Sequence, residues 1–177
     1  MKISNDGDID VAKVLITPDR LQQRVSELAL QISQDFSETG VALVAILRGS
    51  FVFAADLIRY ITIPVYVDFM SISSYGSQTG IVRITKDLDE SIRGRHVLMV
   101  EDIIDTGLTA SYLIQNLRRR EPASIEICAL LDKSARRIID LPIKYSGFDI
   151  PDVFVVGYGM DYRQRFRNLP YIGVLAL

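Results

Sequence analysis

Three carboxylates and a glycine flanked by threonines lie close together in the stretch VLMVEDIIDTGLTA. Glu101 and Asp102 follow an apolar run, and Asp105 directly precedes the tetrapeptide Thr106-Gly107-Leu108-Thr109. Carboxylates accept hydrogen bonds from hydroxyl groups and bind magnesium directly or through water. Two neighbouring carboxylates therefore suit the vicinal diol of a ribose.

The segment from Asp105 to Thr109 has the composition of a phosphate-binding loop. It lies between a predicted strand and a predicted helix, and the first amides of a helix lack partners within the helix. Gly107 lets backbone amides approach an oxyanion, and Thr106 and Thr109 add hydroxyl donors. A sugar phosphate accounts for the whole stretch, with the carboxylates binding the sugar and the amides binding its phosphate.

Two purely structural explanations of the same residues stay open at this point. The loop could be an ordinary helix start capped by Thr109, and the acidic residues could pair with lysine or arginine at the end of a strand. Two common nucleotide-binding motifs are absent, because the sequence has no GxxxxGK[ST] and GYGMDY does not match GxGxxG.

Alternating strands and helices must position this stretch. Thr17 and Pro18 suit the cap and first turn of a helix whose apolar residues recur at helical spacing up to Gly40. Further helices are predicted in SFVFAADLIRYI and LTASYLIQNLRRR, the latter ended by Pro122. Continuous apolar runs predict buried strands, and the alternating segment IVRITKDL predicts half of an exposed antiparallel pair after the polar break SSYGSQTG. The strand segments are VALVAIL, IPVYVDFMSI, HVLMV, SIEICALL, DVFVVGYG and YIGVLAL.

This order of elements predicts an α/β fold with a parallel central sheet flanked by helices. Ligands of such sheets bind beyond the carboxyl ends of the strands. Four polar features follow predicted strands, namely Arg48-Gly49, the acidic cluster, Asp132-Lys133 and Gly157–Asp161. They are expected to converge on one site. The length of 177 residues suits a single domain, residues 1–177.

Composition narrows the classes of function. The net charge of −2 provides no positive field to attract nucleic acid. The polar N-terminus does not match a signal peptide, and no apolar stretch approaches the ~20 residues of a membrane span. The single cysteine, Cys128, lies in an apolar run and predicts a buried thiol without a disulfide, which fits a cytoplasmic protein.

The stretch VLMVEDIIDTGLTA resembles the phosphoribosyl-pyrophosphate signature of the type I phosphoribosyltransferases, closest to the branch that acts on hypoxanthine and guanine. LRGSFVFAADLIR, DFMSISSYGSQT, LLDKSARR and PDVFVVGYGMDYRQRFRNLPYIGVL match in order, so the resemblance covers nearly the whole chain. It implies the fold of that family, with a small hood and a mobile lid loop. It also implies magnesium-dependent transfer of phosphoribosyl to N9 of a 6-oxopurine in purine salvage, giving IMP or GMP and pyrophosphate.

The resemblance implies roles for the central stretch. Glu101 and Asp102 would hold the ribose hydroxyls and the magnesium linked to them. Asp105 would act as the general base near N7 of the purine. Thr106, Gly107, Leu108 and Thr109 would bind the 5′-phosphate. Some family members carry lysine at the position of Leu108, so one direct charge contact is missing here.

Other segments supply the partners of pyrophosphate. By resemblance, Arg48 and Gly49 form the pyrophosphate loop, which in the family often has a non-proline cis peptide before the glycine. Arg167 is a second pyrophosphate ligand, because its planar fork can bind two oxygens at once. Asp161 would bind a second magnesium.

The purine pocket and the lid complete the expected site. Lys133 would donate to the 6-oxygen of the base, Phe154 would stack on the ring and Val155 would offer backbone contacts. Ser74 and Tyr75 resemble the lid that closes over the reaction and excludes water. The family forms dimers or tetramers, which predicts a homodimer or a homotetramer.

Three other functions compete with this interpretation. A signalling receiver domain also places acids, a threonine and a lysine at strand ends. A receiver spreads these residues over several strands, whereas here the acids, including Asp105, and Thr106 fall in one motif. A non-catalytic regulator could retain the transferase fold, although the sequence has no helix-turn-helix extension and its basic cluster, Arg118–Arg120, ends a helix. A transferase for another base, such as xanthine, is the nearest alternative.

Overall fold

The computed structural model of the protein describes residues 10–75 and 81–176. Within those ranges the chain forms three α-helices and nine strands. The helices are α1 (Pro18–Asp35), α2 (Phe51–Tyr60) and α3 (Leu108–Arg118). The strands are β1 (Val11–Ile16), β2 (Val41–Leu47), β3 (Val65–Tyr75), β4 (Ile81–Lys86), β5 (His96–Ile104), β6 (Ser124–Asp132), β7 (Tyr145–Asp149), β8 (Val155–Val156) and β9 (Ile172–Leu175).

A six-stranded sheet forms the centre of the protein, in the order β4-β3-β2-β5-β6-β7. Its strands are parallel except for β4, which pairs antiparallel with β3. The apolar run of β2 is buried nearly throughout because helices cover both faces of the sheet. The predicted α/β architecture and the antiparallel edge strand are thereby confirmed.

Alternate residues of β2 divide the core into two halves. Leu43 and Ala45 belong to a cluster that includes α1 and α2, whereas Ala42 and Val44 belong to a cluster that includes α3. Helix α1 begins as predicted, since Oγ1 of Thr17 accepts a hydrogen bond from an amide of its first turn. Cys128 is a buried free cysteine, also as predicted.

A second, antiparallel sheet joins β1, β9 and β8 in that order. This small hood carries Phe154 and Val155 beside the main sheet. The sequence did not predict β1 or the edge strand β7, because neither has a continuous apolar run. In β7, Gly147 lies so close to the Leu130 carbonyl that a side chain would clash, so the strand lacks the usual β-forming residue there.

Several boundaries differ from the sequence prediction. The predicted strand DVFVVGYG is shortened to Val155–Val156, because Gly157, Tyr158 and Gly159 all have positive φ and turn the chain. β5 does not end at Glu101 and Asp102 but continues to Ile104, because its pairing with β6 extends to Asp132. The polar segment after β3 begins later than predicted, since Ser73 to Tyr75 pair with β4. Among residues 10–75 and 81–176, no helix combines the length and apolar character needed to cross a membrane.

Candidate active site

The site forms where β2, β5 and β6 end side by side. Leu47, Ile104 and Asp132 are the last residues of these strands, and each leads into a polar loop. The Leu47–Arg48 peptide bond is cis. Three of the four polar features predicted to converge are therefore adjacent, and the fourth, around Gly159, contacts the first through the carbonyl of Gly49.

Two adjoining cavities lie at this edge. The smaller has a volume of about 260 Å³ and the larger a volume of about 770 Å³. The smaller is lined by Glu101 and the loop Thr106–Gly107, and the larger by Lys133, Phe154 and Arg167. Both are lined by Arg48, Gly49, Asp102 and Asp105. Asp102 and Asp105 thus stand where the two cavities adjoin.

Glu101 and Asp102 are carboxylates in a largely buried environment. Glu101 is 6% exposed, and burial, reinforced by the charge of Asp102, raises its pKa well above the usual range. Burial also raises the pKa of Asp102 to about 6, although nearby amides and the charge of Arg167 oppose the shift. No lysine or arginine of the described residues pairs with Glu101. An ordinary ion pair at the strand end therefore does not account for Glu101.

Gly49 is fixed as glycine by its contact with Asp102. A Cβ atom at position 49 would collide with the Asp102 carboxylate, and one at Gly159, where φ is +101°, would collide with the Gly49 carbonyl. The three backbone segments can approach each other only because two of them lack side chains. This packing brings the predicted pyrophosphate loop directly against the predicted ribose-binding carboxylate.

The loop Thr106–Thr109 has the shape expected of an anion site. Gly107 is the N-cap of α3 and has a left-handed φ of 84°, so the cap residue has no side chain that could bond the first amides of the helix. The idea that Thr109 is an ordinary cap is therefore wrong. Oγ1 of Thr106 accepts a 3.4 Å hydrogen bond from the Leu108 amide. Leu108 itself is 53% exposed, so it leaves the approach to the helix terminus uncharged.

Arg137, which was not predicted from the sequence, packs against this loop at Gly107. Its guanidinium pairs with Asp132 at the end of β6, and its side chain lies where a Cβ of Gly107 would point. The Thr106 carbonyl accepts hydrogen bonds from the amides of Ile138 and Ile139, at 3.0 and 3.2 Å. The segment after β6 therefore fixes the position of the loop Thr106–Thr109.

Asp105 lies just beyond β5 and is in contact with Arg136. The Nε atom of Arg136 is 3.0 Å from Oδ1 of Asp105. That oxygen is shielded from solvent, yet it accepts no hydrogen bond from the described residues. The contact is therefore one of charge without a directed hydrogen bond, and Oδ1 keeps an acceptor position for a donor in the cavity.

Lys133 is buried, with only 7% of its surface exposed. Its Nζ is 3.5 Å from Oδ1 of Asp152, an oxygen that also lies 3.2 Å from Nη1 of Arg136. The ammonium thus reaches the larger cavity with one carboxylate partner. A buried ammonium that keeps spare donors can bind a carbonyl oxygen of a ligand.

Phe154 and Val155 form the hood side of the larger cavity. Phe154 is 43% exposed and packs edge-on against Tyr162, with 5.6 Å between the ring centres. Val155 is buried in β8 and pairs with Val174 of β9. An exposed aromatic face beside a rigid backbone strand is suited to a flat heterocyclic ring.

Gln164, which was not predicted as a site residue, contacts Arg48, Arg167 and Asp161. Oε1 of Gln164 accepts from Nη1 of Arg48 and from Nη2 of Arg167, both at 3.3 Å. Nη2 of Arg167 also lies 2.6 Å from Asp161, and Nη1 donates to the Gly159 carbonyl at 2.7 Å. Two guanidinium groups from distant parts of the chain therefore face one cavity, with Asp161 partly neutralising them.

The structure describes only part of the predicted lid. The backbone of Ser74 and Tyr75 ends β3 and pairs with Val82 and Ile81, while the side chains of both lie outside the description. Residues 76–80, which belong to the same predicted lid, lie outside the described ranges. Within those ranges no group of three or more metal-binding side chains occurs.

The sequence is similar to those of known proteins over most of its length. The family model for the phosphoribosyl transferase domain matches residues 15–163. A hypoxanthine phosphoribosyltransferase of Salmonella typhimurium is 52% identical over 170 residues, covering 93% of this chain and 96% of the relative. A hypoxanthine-guanine phosphoribosyltransferase of Bacillus subtilis is 48% identical over 169 residues, covering 94% of each chain.

The fold agrees with a solved structure of the same kind. A crystal structure of a hypoxanthine-guanine phosphoribosyltransferase from Bacillus anthracis, with a HEPES molecule in its active site, superposes with a TM-score of 0.92. It is 48% identical in sequence and covers 94% of this chain and all of its own chain.

The buried carboxylate of Asp102 is expected to reduce stability at neutral pH. Its folded-state pKa of about 6 exceeds its ordinary value of 3.8, so stability falls as pH rises through that interval. We expect Asp102→Asn to raise the free energy of unfolding by about 2–3 kcal/mol near pH 8, and by less than about 1 kcal/mol near pH 4. Denaturant unfolding at both pH values measures this. The exposed Asp140→Asn serves as the control, and a pH-independent gain at Asp102 would contradict the prediction.

Proposed function

The chain belongs to the phosphoribosyltransferase family and is an enzyme of purine salvage, and we propose that it transfers phosphoribosyl from phosphoribosyl pyrophosphate to N9 of a 6-oxopurine. The products would be IMP or GMP, together with pyrophosphate. One observation carries this proposal beyond the family. A pair of buried carboxylates and an uncapped helix terminus line the same small cavity.

We assign the ribose to Glu101 and Asp102. As pyrophosphate departs, the ribose carbon gains positive charge, and carboxylates beside it stabilise that charge where it develops. In their ionised form, the desolvated position of these groups strengthens the effect, because charges interact more strongly where water is excluded. The raised pKa values that burial gives both groups are the stability cost of this arrangement.

The 5′-phosphate is assigned to the loop formed by Thr106, Gly107, Leu108 and Thr109. The N-cap Gly107 provides no side chain to the amides at the start of α3, where the one side-chain bond, from the Leu108 amide to Oγ1 of Thr106, is 3.4 Å long, and its left-handed backbone keeps the approach to these amides open. Leu108 contributes no charge, so backbone amides and threonine hydroxyls carry this contact. Arg137 supports the loop through its contact with Gly107.

Pyrophosphate is assigned to Arg48, Gly49 and Arg167. Both guanidinium groups already bind one glutamine oxygen, which shows that they can share a single acceptor group. Arg167 also contacts Asp161, so its guanidinium would be shared between that carboxylate and the pyrophosphate.

Magnesium is the cofactor that fits these donors. It is commonly held by one or two carboxylates together with oxygens of the substrate and water, so a site without three clustered protein ligands is suitable. Glu101 and Asp102 would hold one ion, directly or through water, and Asp161 a second. When bound, magnesium would neutralise the developing charge of pyrophosphate.

The purine is assigned to the larger cavity. Lys133 would donate to the 6-oxygen, and because adenine carries an amino donor there, the ammonium favours 6-oxopurines. Phe154 would stack on the ring, and the backbone of Val155 would face its Watson–Crick edge. Asp105 would accept the proton of the purine at N7, and its unpartnered Oδ1 is available for that bond.

A lid, a single domain, a cytoplasmic location and a symmetric assembly complete the proposal. Ser74 and Tyr75 would belong to a lid that excludes water from the cationic sugar. Residues 1–177 would act as one domain, in line with the family match over 15–163. The unpaired, buried Cys128 is compatible with the cytoplasm. Assembly as a homodimer or homotetramer is expected from the family.

An assay of nucleotide formation tests the function directly. The protein is incubated with magnesium, phosphoribosyl pyrophosphate and each of hypoxanthine, guanine, xanthine and adenine, and the product is followed by absorbance. We expect turnover with hypoxanthine and guanine, and none with adenine because Lys133 meets an amino group. Turnover with adenine at the same rate would contradict the role of Lys133, and no turnover with any base would contradict the proposed function.

Replacement of the proposed base separates binding from chemistry. We expect Asp105→Asn to lower kcat on the order of 10²–10⁴-fold, because proton acceptance is lost while the side-chain volume is kept. The dissociation constant of phosphoribosyl pyrophosphate, measured by calorimetry, should stay within about twofold, because Glu101 and Asp102 are unchanged. Parental turnover in this variant would show that Asp105 is not the base.

A further inference from the structure

Arg136 has no place in the assignments above, yet it lines the larger cavity and touches two carboxylates, that of Asp105, which also lines the cavity, and that of Asp152. It ends a short 3-10 turn, Ser134–Arg136, that follows β6. Its Nε lies 3.0 Å from Oδ1 of Asp105, and its Nη1 lies 3.2 Å from Oδ1 of Asp152. One guanidinium therefore links the loop after β5 to the turn that precedes β8.

The same carboxylate extends the link to the purine pocket. Oδ1 of Asp152 is 3.5 Å from Nζ of Lys133, so Asp105, Arg136, Asp152 and Lys133 form one chain of opposite charges. The two ends of this chain are the proposed base and the proposed ligand of the 6-oxygen. Their separation determines whether one purine can reach both groups at once.

The contact with Asp105 leaves its acceptor position open. Oδ1 is shielded from solvent but accepts no hydrogen bond from the described residues, although Nε of Arg136 is within 3.0 Å. A directed hydrogen bond from Arg136 would occupy one of the acceptor positions of Oδ1, and its absence leaves that position open to a purine donor. A nearby charge without such a bond holds the carboxylate in place and leaves the oxygen ready for the ligand.

A purely stabilising ion pair is the competing explanation. The side chains of Arg136 and Asp105 are 46% and 39% exposed, and ion pairs at that exposure contribute little to folding. The exposure also means that Arg136 can be replaced without disturbing the core. A stabilising role and a positioning role therefore predict different results for catalysis.

We propose that Arg136 is a positioning residue, which orients the Asp105 carboxylate and holds it at a fixed distance from Lys133. This inference rests on the proposed function, because it presumes that Asp105 acts as the base. Arg136 would not touch the reacting atoms. Its loss would slow the chemical step and leave the sugar-phosphate contacts, which lie in the smaller cavity, unchanged.

Steady-state kinetics of the full chain tests this proposal. The variants are Arg136→Met, Arg136→Lys and the exposed Arg119→Met, which lies at the far end of α3 and serves as the control. We expect Arg136→Met to lower kcat on the order of 10-fold with KM for phosphoribosyl pyrophosphate within about twofold. Arg136→Lys should recover part of the loss, because an ammonium keeps the charge but not both contacts.

The double variant Arg136→Met with Asp105→Asn gives the sharper result. If Arg136 acts through Asp105, removing it from the Asp105→Asn protein should change kcat less than about twofold. Parental kcat in Arg136→Met, or a full additional loss in the double variant, would overturn the positioning role while leaving the proposed function intact. Parental kcat in Asp105→Asn alone would instead remove the base assignment, and this inference with it.

Discussion

The structure of the site depends on the close contact between the Asp102 carboxylate and the backbone of Gly49. Because position 49 has no side chain, the loop after β2 can lie directly against the Asp102 carboxylate, near the end of β5. Gly159 repeats this approach on the other side, against the Gly49 carbonyl. The two glycines thereby bring three segments from distant parts of the sequence to one point. Every proposed substrate contact is arranged around that point, with the phosphate loop on one side and the guanidinium groups on the other.

The acidic pair and the cationic groups of the site come from different segments of the chain. Glu101 and Asp102 belong to β5, whereas the cationic groups come from loops after β2 and β6 and from the hood segment around Arg167. Burial raises the pKa of both acids, which is a cost to folding. Most of the cations are instead paired with acids or amide oxygens, as Lys133 is with Asp152 and Arg48 with Gln164. A substrate that has a sugar between two anionic groups would find acidic side chains beside the sugar and hydrogen-bond donors beside each anionic group.

The sequence predicted the central part of this arrangement for a physical reason. Strands β2, β5 and β6 each contain an apolar run that identifies them as buried strands. Polar residues near the carboxyl ends of parallel strands must meet at one edge of the sheet. The convergence of Arg48, Asp102 and Lys133 could therefore be predicted from their positions. Arg136, Arg137 and Gln164 were missed because their contacts join separate loops, and no local pattern encodes such contacts. The segment SARR, directly after Lys133, was the one available signal, since it follows the same strand. β7 was missed because Gly147, required by its approach to Leu130, interrupts the apolar pattern that identifies a strand.

The central claim is that buried carboxylates at a sheet edge bind the ribose while main-chain amides beside them bind its phosphate. A crystal structure of the protein with a bound purine nucleoside monophosphate tests this most directly. The account predicts ribose hydroxyls within hydrogen-bond distance of Glu101 and Asp102, and phosphate oxygens within that distance of the amides of residues 106–109. A nucleotide whose sugar lies away from both carboxylates, with its phosphate outside the loop before α3, would contradict it.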